Sequence, residues 1–292
     1  MIRYRPVHEA RKFFVRVNGM RHCIREWGDA RLPAILMLHG HMDSSITFQF
    51  LADRLASGFR VVAPDLRGFG ETQWVSQGYS FEDYLNDVDG VIGKLFFKPV
   101  AVLGHSLGGN LAMMFAGIRA DKVNAVISLD GFGMSDPEPD TITAHYRRWL
   151  NTKRSMPPAQ QLGDLDDAVK RLIRSNPNLS PDKARFLAAR LTIRKEGRLS
   201  WRFDPAHRGP FPRPYRSSDW LQAIQEIKAP VLWIGSDQPY PQSLAVRHPT
   251  LQDRLGLCGA DFQRVVGASH NLHHDAPDVV AAHVMRLLLS VG

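Results

Sequence analysis

The chain has 292 residues, 44% of them hydrophobic, and a formal net charge of +8. Its two cysteines, Cys23 and Cys258, are too few for a disulfide framework and lack the spacing of a metal site. No stretch approaches the roughly 18 consecutive apolar residues of a membrane span, and residues 1–14 are too charged for a signal peptide. A chain of this size can bury one large core, and we expect a cytoplasmic protein with no membrane partner.

The first part of the chain alternates apolar runs with helical patterns. Residues 13–17 and 22–26 flank an Asn-Gly turn, which predicts an antiparallel pair of strands. Ser80, with an acid three residues later, is typical of a helix N-cap and predicts a helix through about residue 97. Parallel strands are predicted for the apolar runs at 34–38, 60–64, 100–103 and 123–129. This alternation is typical of a doubly wound α/β sheet.

The pattern changes after Asp130 and resumes near residue 218, where a predicted helix precedes a predicted strand at 231–234. The interval contains a run of alternating apolar and polar residues at 199–204, which follows a segment rich in turn-forming residues. Helical patterns in this interval cover 141–150, 166–175 and 180–193. The chain therefore divides into a core, residues 1–133 and 218–292, and an inserted, mainly helical cap, residues 134–217.

Positive charge is concentrated in the same interval. Residues 134–220 hold 17 Lys/Arg and 10 Asp/Glu, and so carry nearly all of the net positive charge of the chain. Two interpretations stay open: attraction of an anionic small-molecule substrate, and a solvated, arginine-rich surface. The basic residues are scattered over several elements without a recognition motif, so we expect no nucleic-acid partner.

The most informative motif is GHSLG at residues 104–108. It follows the apolar run 100–103 and leads into a helical pattern, which is the strand, turn and helix context of a GxSxG nucleophile. The turn must hold Ser106 at strained backbone angles with its hydroxyl clear of the sheet, and the flanking glycines leave room for this. Ser106 is therefore the predicted nucleophile.

Two acids and one histidine follow Ser106 at the ends of apolar runs. Asp130 ends the run 126–129, Asp237 follows 231–236, and His270 follows 265–269. Serine, then acid, then histidine is the chain order of one fold.

At this point the sequence resembles the α/β-hydrolase family. The matching segments are LHGH at 38–41, APDLRGFGET at 63–72, GHSLGGN at 104–110 and GASHNLHHDAP at 267–277, and they fall in family order across nearly the whole chain. The resemblance implies a mostly parallel, eight-stranded sheet flanked by helices, with an inserted cap. It implies little about the substrate.

Acyl transfer fits these residues. His270 would accept the proton of Ser106 as general base, and two backbone N–H groups, those of His41 and Leu107, would stabilise the oxyanion. His39 is expected to orient the loop that carries His41. A serine rather than an aspartate in the motif disfavours the dehalogenase and epoxide hydrolase branches of the family.

The acid that orients His270 is open between two residues. In the family pattern this acid commonly stands three residues after the glycine that ends the seventh strand; here that position holds Gln238, and Asp237 lies one residue early. Asp130 ends the preceding strand, a position that some relatives use. We favour Asp237 and keep Asp130 as the alternative, and we expect the other acid to cap a turn.

Four side chains are candidates for substrate binding. Packing explains the aromatic and methionine side chains among them equally well. The four are His105 beside the nucleophile, and Met134, Trp149 and Trp201 in the predicted cap.

No metal or cofactor is expected. His270, His273 and His274 with Asp275 could suggest a metal cluster, but the start of a helix near Asp275 explains this polar run. No phosphate-binding glycine motif is present in the sequence.

Three functions remain open for the chain as a monomer or homodimer. The first is a serine hydrolase that cleaves a small carboxylic ester or lactone. The second is a carbon–carbon bond hydrolase, which His105 and the basic cap would suit if the substrate is an anionic diketone. The third is a ligand-binding protein without catalysis, which an intact Ser106 and His270 disfavour.

Overall fold

The computed structural model describes residues 3–76, 78–133, 142–154, 159–237 and 251–291. The strands are β1 (Arg11–Val17), β2 (Met20–Trp27), β3 (Ala34–Leu38), β4 (Arg60–Pro64), β5 (Val100–His105), β6 (Val123–Leu129), β7 (Gln161–Leu162), β8 (Thr192–Lys195), β9 (Arg198–Trp201), β10 (Val231–Ser236) and β11 (Asp261–Val265). The helices are α1 (Gln49–Leu55), α2 (Phe81–Leu95), α3 (Leu107–Ile118), α4 (Ile142–Arg154), α5 (Leu165–Ser175), α6 (Pro181–Leu191), α7 (Ser217–Gln225), α8 (Leu251–Leu257), α9 (Leu272–Asp275) and α10 (Pro277–Val291).

The main sheet has eight strands in the order β1-β2-β4-β3-β5-β6-β10-β11. The pairs β1–β2 and β2–β4 are antiparallel, and every other pair in this sheet is parallel. The predicted fold class, an eight-stranded and mostly parallel sheet flanked by helices, is confirmed.

Helices cover both faces of the sheet because successive strand side chains point to opposite sides. In β3, Ile35 and Met37 pack into the layer that contains α1 and α10. Leu36 and Leu38 pack into the opposite layer with α2 and α3. Helix α2 begins as the sequence predicts, since the Ser80 hydroxyl accepts a hydrogen bond from the Asp83 N–H at 3.1 Å.

The parallel strands bring their carboxyl ends to one edge of the sheet. Strands β3, β5, β6 and β10 lie side by side there, and each is followed by a loop or a sharp turn. In open α/β sheets this edge is where ligands bind. The edge therefore collects residues that are far apart in the chain.

The segment between β6 and α7, here called the insert, contains α4–α6 and a small antiparallel sheet of order β7-β9-β8. The predicted turn is the β8–β9 hairpin, in which Gly197 has a φ of 76°. Four buried apolar side chains form a core of its own: Leu162, Ala168, Ala188 and Leu199. The helix predicted to reach residue 193 ends at Leu191, because the chain turns there into β8.

The insert is fastened to the loop after β4. The Tyr79 hydroxyl donates to Asp204 at 2.7 Å, and the Asp204 N–H donates to the Gly68 carbonyl at 2.8 Å. The imidazole of His207 stacks between Phe69 and Tyr79, with both ring centroids 3.8 Å away. These contacts hold the insert over the carboxyl edge of the sheet.

Within the described ranges, no helix combines the length and the apolar character that crossing a bilayer requires.

Candidate active site

Ser106 lies in the sharp turn between β5 and α3, with a φ of 52° and a ψ of −113°. Such angles strain a non-glycine residue, and they occur mostly where function requires them. A Cβ at Gly104 would lie 2.0 Å from the Gly108 carbonyl oxygen, and one at Gly108 would lie 1.9 Å from the Leu38 carbonyl oxygen. Both glycines are required because the turn is packed against backbone.

His270 lies in the turn between β11 and α9, and its side chain is 50% exposed. Its Nδ1 is 3.2 Å from Oδ2 of Asp130, a carboxylate that is 1% exposed. Asp130 follows β6 with a φ of 51°, and its Oδ1 accepts a hydrogen bond from the Ser236 N–H at 2.9 Å. The carboxylate is therefore fixed by backbone and directed at the imidazole.

The sequence preference for Asp237 is not supported by this geometry. Asp237 is exposed one residue beyond β10, and its Oδ2 accepts a hydrogen bond from the Gly267 N–H at 3.4 Å. Asp130 reaches the imidazole because β6 lies between β5, which carries the nucleophile, and β10. The structure thus pairs His270 with the acid that the sequence left as the alternative, and Asp237 instead braces the turn before His270.

The His270 turn is also held by two polar side chains that the sequence analysis did not assign. Asp275 accepts hydrogen bonds from the Ser269 N–H at 2.8 Å and the Ser269 hydroxyl at 2.6 Å. The side-chain amide of Asn176, in the insert, donates to Asp275 at 2.7 Å. Asp275 is close to His270 in sequence and could have been suspected, whereas Asn176 gives no local signal.

The loop after β3 lies directly against the nucleophile. A Cβ on Gly40 would be 3.5 Å from the Cβ of Ser106, which places the following residue, His41, beside the turn. Leu107 is the first residue of α3, so its N–H is among those that a helix leaves without an intrahelical partner. The positions of both residues are compatible with the predicted oxyanion hole.

His39 fixes that loop through both ring nitrogens. Its Nδ1 donates to the Gly40 carbonyl at 2.8 Å, and its Nε2 accepts from the Leu66 N–H at 2.9 Å. These roles require a neutral ring, and burial lowers the pKa of His39 to about 4. The sequence expectation that His39 orients the loop agrees with these contacts.

We expect His39 to make the protein sensitive to acid. Its folded-state pKa lies below the ordinary value of 6.5, so the unfolded chain takes up the proton first, and stability is lost as the pH falls from about 6.5 to about 4. The loss from this group is roughly 3 kcal/mol between pH 7 and pH 4. Urea unfolding of the wild type and of His39→Gln, each at pH 7 and pH 4, measures this loss. The wild type should lose more of its free energy of unfolding than the variant between the two pH values, so the difference between the two proteins should shrink at pH 4. A difference that stays constant would contradict the assignment.

His105 lies beneath the site rather than in the cleft. It is 3% exposed, and its Nε2 donates to the backbone carbonyl of His270 at 2.9 Å. The predicted substrate contact is not supported by this geometry, because the ring is buried and bonded to the backbone. His105 instead connects the nucleophile turn to the His270 turn.

The other candidate pocket residues have different positions. Trp149 helps to line a cavity between the insert and the core, together with Val75, Tyr79, Thr152, Ala206 and Phe211. Trp201 is partly buried and packs against the apolar clusters of both the core and the insert. Met134 lies outside the described residues.

Residues 35–283 match the sequence profile of the alpha/beta hydrolase family, and the chain belongs to that family. It is 27% identical over 283 residues to "Serine hydrolase-like protein 2" of Homo sapiens, a match that covers 90% of this chain and 89% of the human protein. It is 31% identical over 178 residues to "Serine hydrolase-like protein" of Danio rerio, covering 59% of this chain and only 55% of the fish protein.

The fold is also similar to a solved structure described as a thioesterase domain from the curacin biosynthetic pathway. The TM-score is 0.84 at 27% identity, over 95% of this chain and 99% of that domain. Its structural neighbours therefore include hydrolases.

Proposed function

We propose that this protein is a serine hydrolase that cleaves a small carboxylic ester or lactone through an acyl-enzyme on Ser106. The observation that carries the proposal is the 3.2 Å pairing of His270 Nδ1 with the buried carboxylate of Asp130, at the sheet edge where a strained turn presents Ser106. A nucleophile, a base and an orienting acid are the groups that acyl transfer requires.

In the first half of the reaction, the Asp130 carboxylate accepts the Nδ1–H of His270 and so leaves Nε2 as the proton acceptor. The Ser106 oxygen attacks the carbonyl carbon while His270 takes the hydroxyl proton. When the tetrahedral intermediate collapses, the carbon–oxygen bond to the leaving alcohol breaks and His270 returns the proton to that alcohol. The acyl group remains on Ser106.

In the second half, water replaces the alcohol. His270 removes a proton from the water as it attacks the acyl carbon, and then gives that proton to the Ser106 oxygen as the acid departs. Both tetrahedral intermediates carry a negative oxygen, and we assign its stabilisation to the backbone N–H groups of His41 and Leu107. Backbone donors need no reorganisation because Gly40 and the start of α3 are fixed by packing.

We assign to residues 134–217 the role of a lid over this site. The insert supplies Trp149 and Phe211 to a largely apolar cavity beside Tyr79, whose hydroxyl also fastens the insert to the core through Asp204. Several insert arginines have acidic partners, among them Arg171 with Asp167 and Arg213 with Asp219. These pairs favour a solvated surface over a site for an anionic substrate.

A carbon–carbon bond hydrolase is the weaker candidate. Of its two supports, the basic cap is weakened by the acidic partners of the insert arginines, and His105 in the nucleophile motif is buried and bonded to the His270 backbone. The similarity to a thioesterase domain instead adds thioesters to the substrates worth testing. Thioester and ester cleavage share the same acyl-enzyme.

A fluorophosphonate probe tests the nucleophile directly. We expect it to label the wild type at one serine and to leave Ser106→Ala unlabelled, because the probe traps only an activated hydroxyl. Ser57→Ala is the matched control: Ser57 is a surface serine whose hydroxyl lies 3.2 Å from His8 Nε2, and its replacement should leave labelling unchanged.

The same preparations then define the substrate class with p-nitrophenyl esters of increasing acyl length, a lactone, an acyl thioester and a dienoate ring-fission product. Turnover of the first three kinds supports the proposal, and turnover of the dienoate alone favours the carbon–carbon hydrolase. A folded wild type that is neither labelled nor active would refute the proposal and favour a ligand-binding protein.

A further inference from the structure

Three ionisable side chains meet beneath the catalytic loop. Asp43 follows β3, His105 ends β5, and His273 lies in α9. One carboxylate oxygen of Asp43 and one ring nitrogen from each histidine lie within 4.8 Å of one another. His105 and His273 are 3% and 0% exposed, whereas Asp43 is partly exposed, so bulk water can reach this cluster only from the Asp43 side.

Both imidazoles of this cluster have ring nitrogens that are not used in hydrogen bonds among the described residues. Within the described part of the chain, His105 Nδ1 and both ring nitrogens of His273 have no hydrogen-bond partner. The other nitrogen of His105, Nε2, donates to the His270 carbonyl at 2.9 Å, so Nδ1 is the unprotonated nitrogen of the neutral ring. Buried polar atoms without hydrogen-bond partners are energetically unfavourable, which indicates that these nitrogens bind a further group.

Two hydrogen bonds from neighbouring groups hold the Asp43 carboxylate in place. Its Oδ1 accepts from the Ser44 N–H at 2.8 Å, and its Oδ2 accepts from the Thr47 hydroxyl at 2.9 Å. Each carboxylate oxygen has a second lone pair available. Metal ligands in proteins are typically oriented in this way, by hydrogen bonds from neighbouring groups that do not bind the ion.

We propose that Asp43, His105 and His273 bind one divalent transition-metal ion, with Zn²⁺ as the best-suited metal. Two imidazole nitrogens and one carboxylate oxygen are a common zinc set, with a water molecule completing a tetrahedron. Three atoms within 4.8 Å of one another surround a centre at most about 2.8 Å from each, so ligand distances of about 2.1 Å require inward shifts below about 1 Å. Nitrogen donors exclude Mg²⁺ and Ca²⁺ as preferred ions.

This site differs from the histidine cluster weighed in the sequence. Asp275 belongs to the hydrogen-bond network around Ser269, and His270 faces Asp130. The oxygen ligand comes from Asp43, which only the packing of the loop after β3 against α9 brings near His273. A bound ion would tie the nucleophile turn to the His270 turn, because His105 precedes Ser106 and bonds to the backbone of His270.

The alternative to a metal ion in this cluster is a proton on one of the three side chains. Burial raises the pKa of Asp43 to about 7, so a neutral carboxyl group can donate to one of the imidazoles instead. The two occupants are distinguishable because only the metal site gives saturable binding of an added ion.

The test uses the 292-residue chain after treatment with a chelator. Titration with ZnSO₄, followed by calorimetry, should give one ion per chain, and the melting temperature should rise by about 5 °C at a hundredfold excess over Kd. Co²⁺ in place of Zn²⁺ should give the intense visible absorption of a tetrahedral site, which Zn²⁺ then abolishes. None of these measurements depends on activity.

Two variants and one control assign the ligands. Asp43→Asn is isosteric, and His273→Phe keeps an aromatic ring against Phe48; each should weaken Zn²⁺ binding at least tenfold. His207→Phe is the matched control, since His207 is also buried and its Nε2 has no hydrogen-bond partner among the described residues, but it lies outside the cluster. The Zn²⁺ affinity of this variant should equal that of the wild type.

Failure of the wild type to bind Zn²⁺ saturably, or to give the Co²⁺ spectrum, would overturn the proposal and assign the cluster to a proton. Binding that neither Asp43→Asn nor His273→Phe weakens would overturn it as well, because the ion would then occupy other histidines. If His273→Phe does not fold, Asp43→Asn and the wild-type spectrum still decide between the two occupants.

Discussion

Ser106→Ala and His270→Ala should each lower kcat for an activated ester by roughly five to six orders of magnitude, while the protein stays folded. The serine supplies the attacking oxygen and the histidine moves its proton, so neither group is useful without the other. The double variant should for that reason be no slower than either single variant. Steady-state kinetics on a p-nitrophenyl ester measures all three.

Stability should change little in these variants. His270 is half exposed, and the Asp130 carboxylate keeps its hydrogen bond from the Ser236 N–H when the imidazole is removed. Melting curves provide the check, and His8→Ala is a control at a surface histidine whose Nε2 lies 3.2 Å from the Ser57 hydroxyl. Ester hydrolysis above about 1% of the wild-type rate in either single variant would refute the assignment of Ser106 and His270 as nucleophile and base.

The sheet and the nucleophile turn were predictable because their signals are local. Parallel strands buried on both faces appear as short apolar runs, and the turn at Ser106 needs glycine at fixed offsets. The structure gives the physical reason for the second signal: a Cβ at Gly104 or Gly108 would overlap backbone atoms. Constraints of this kind act between residues that are close in the sequence. They can therefore be recognised before the order of the strands in the sheet is known.

The orienting acid was less predictable because it depends on strand order. Asp130 and Asp237 both follow apolar runs, and only the placement of β6 between β5 and β10 directs one of them at His270. The support of the His270 turn by Asn176 is also non-local, since Asn176 lies in the insert, far from that turn in the chain. The same holds for Asp43 against His273, which meet only through tertiary packing.

The geometry leads to a definite expectation for the two acids. Asp130→Asn should lower kcat by roughly three to four orders of magnitude, because the amide neither holds the required tautomer of His270 nor balances the imidazolium that forms during the reaction. Asp237→Asn should cost less than about tenfold, since this exposed carboxylate accepts a long hydrogen bond from the backbone of the turn before His270 and is not directed at the imidazole. The sequence preference for Asp237 predicts the reverse order.

Both substitutions are isosteric, so the comparison isolates charge from shape. In Asp130→Asn, the amide oxygen of the new side chain can still accept a hydrogen bond from the Ser236 N–H, which should preserve the turn after β6. Kinetics at a fixed pH and melting temperatures for both variants separate lost chemistry from lost folding. If a well-folded Asp130→Asn protein keeps most of its activity while Asp237→Asn loses it, the acid lies after β10, and the pairing of Asp130 with His270 serves only to hold the turn.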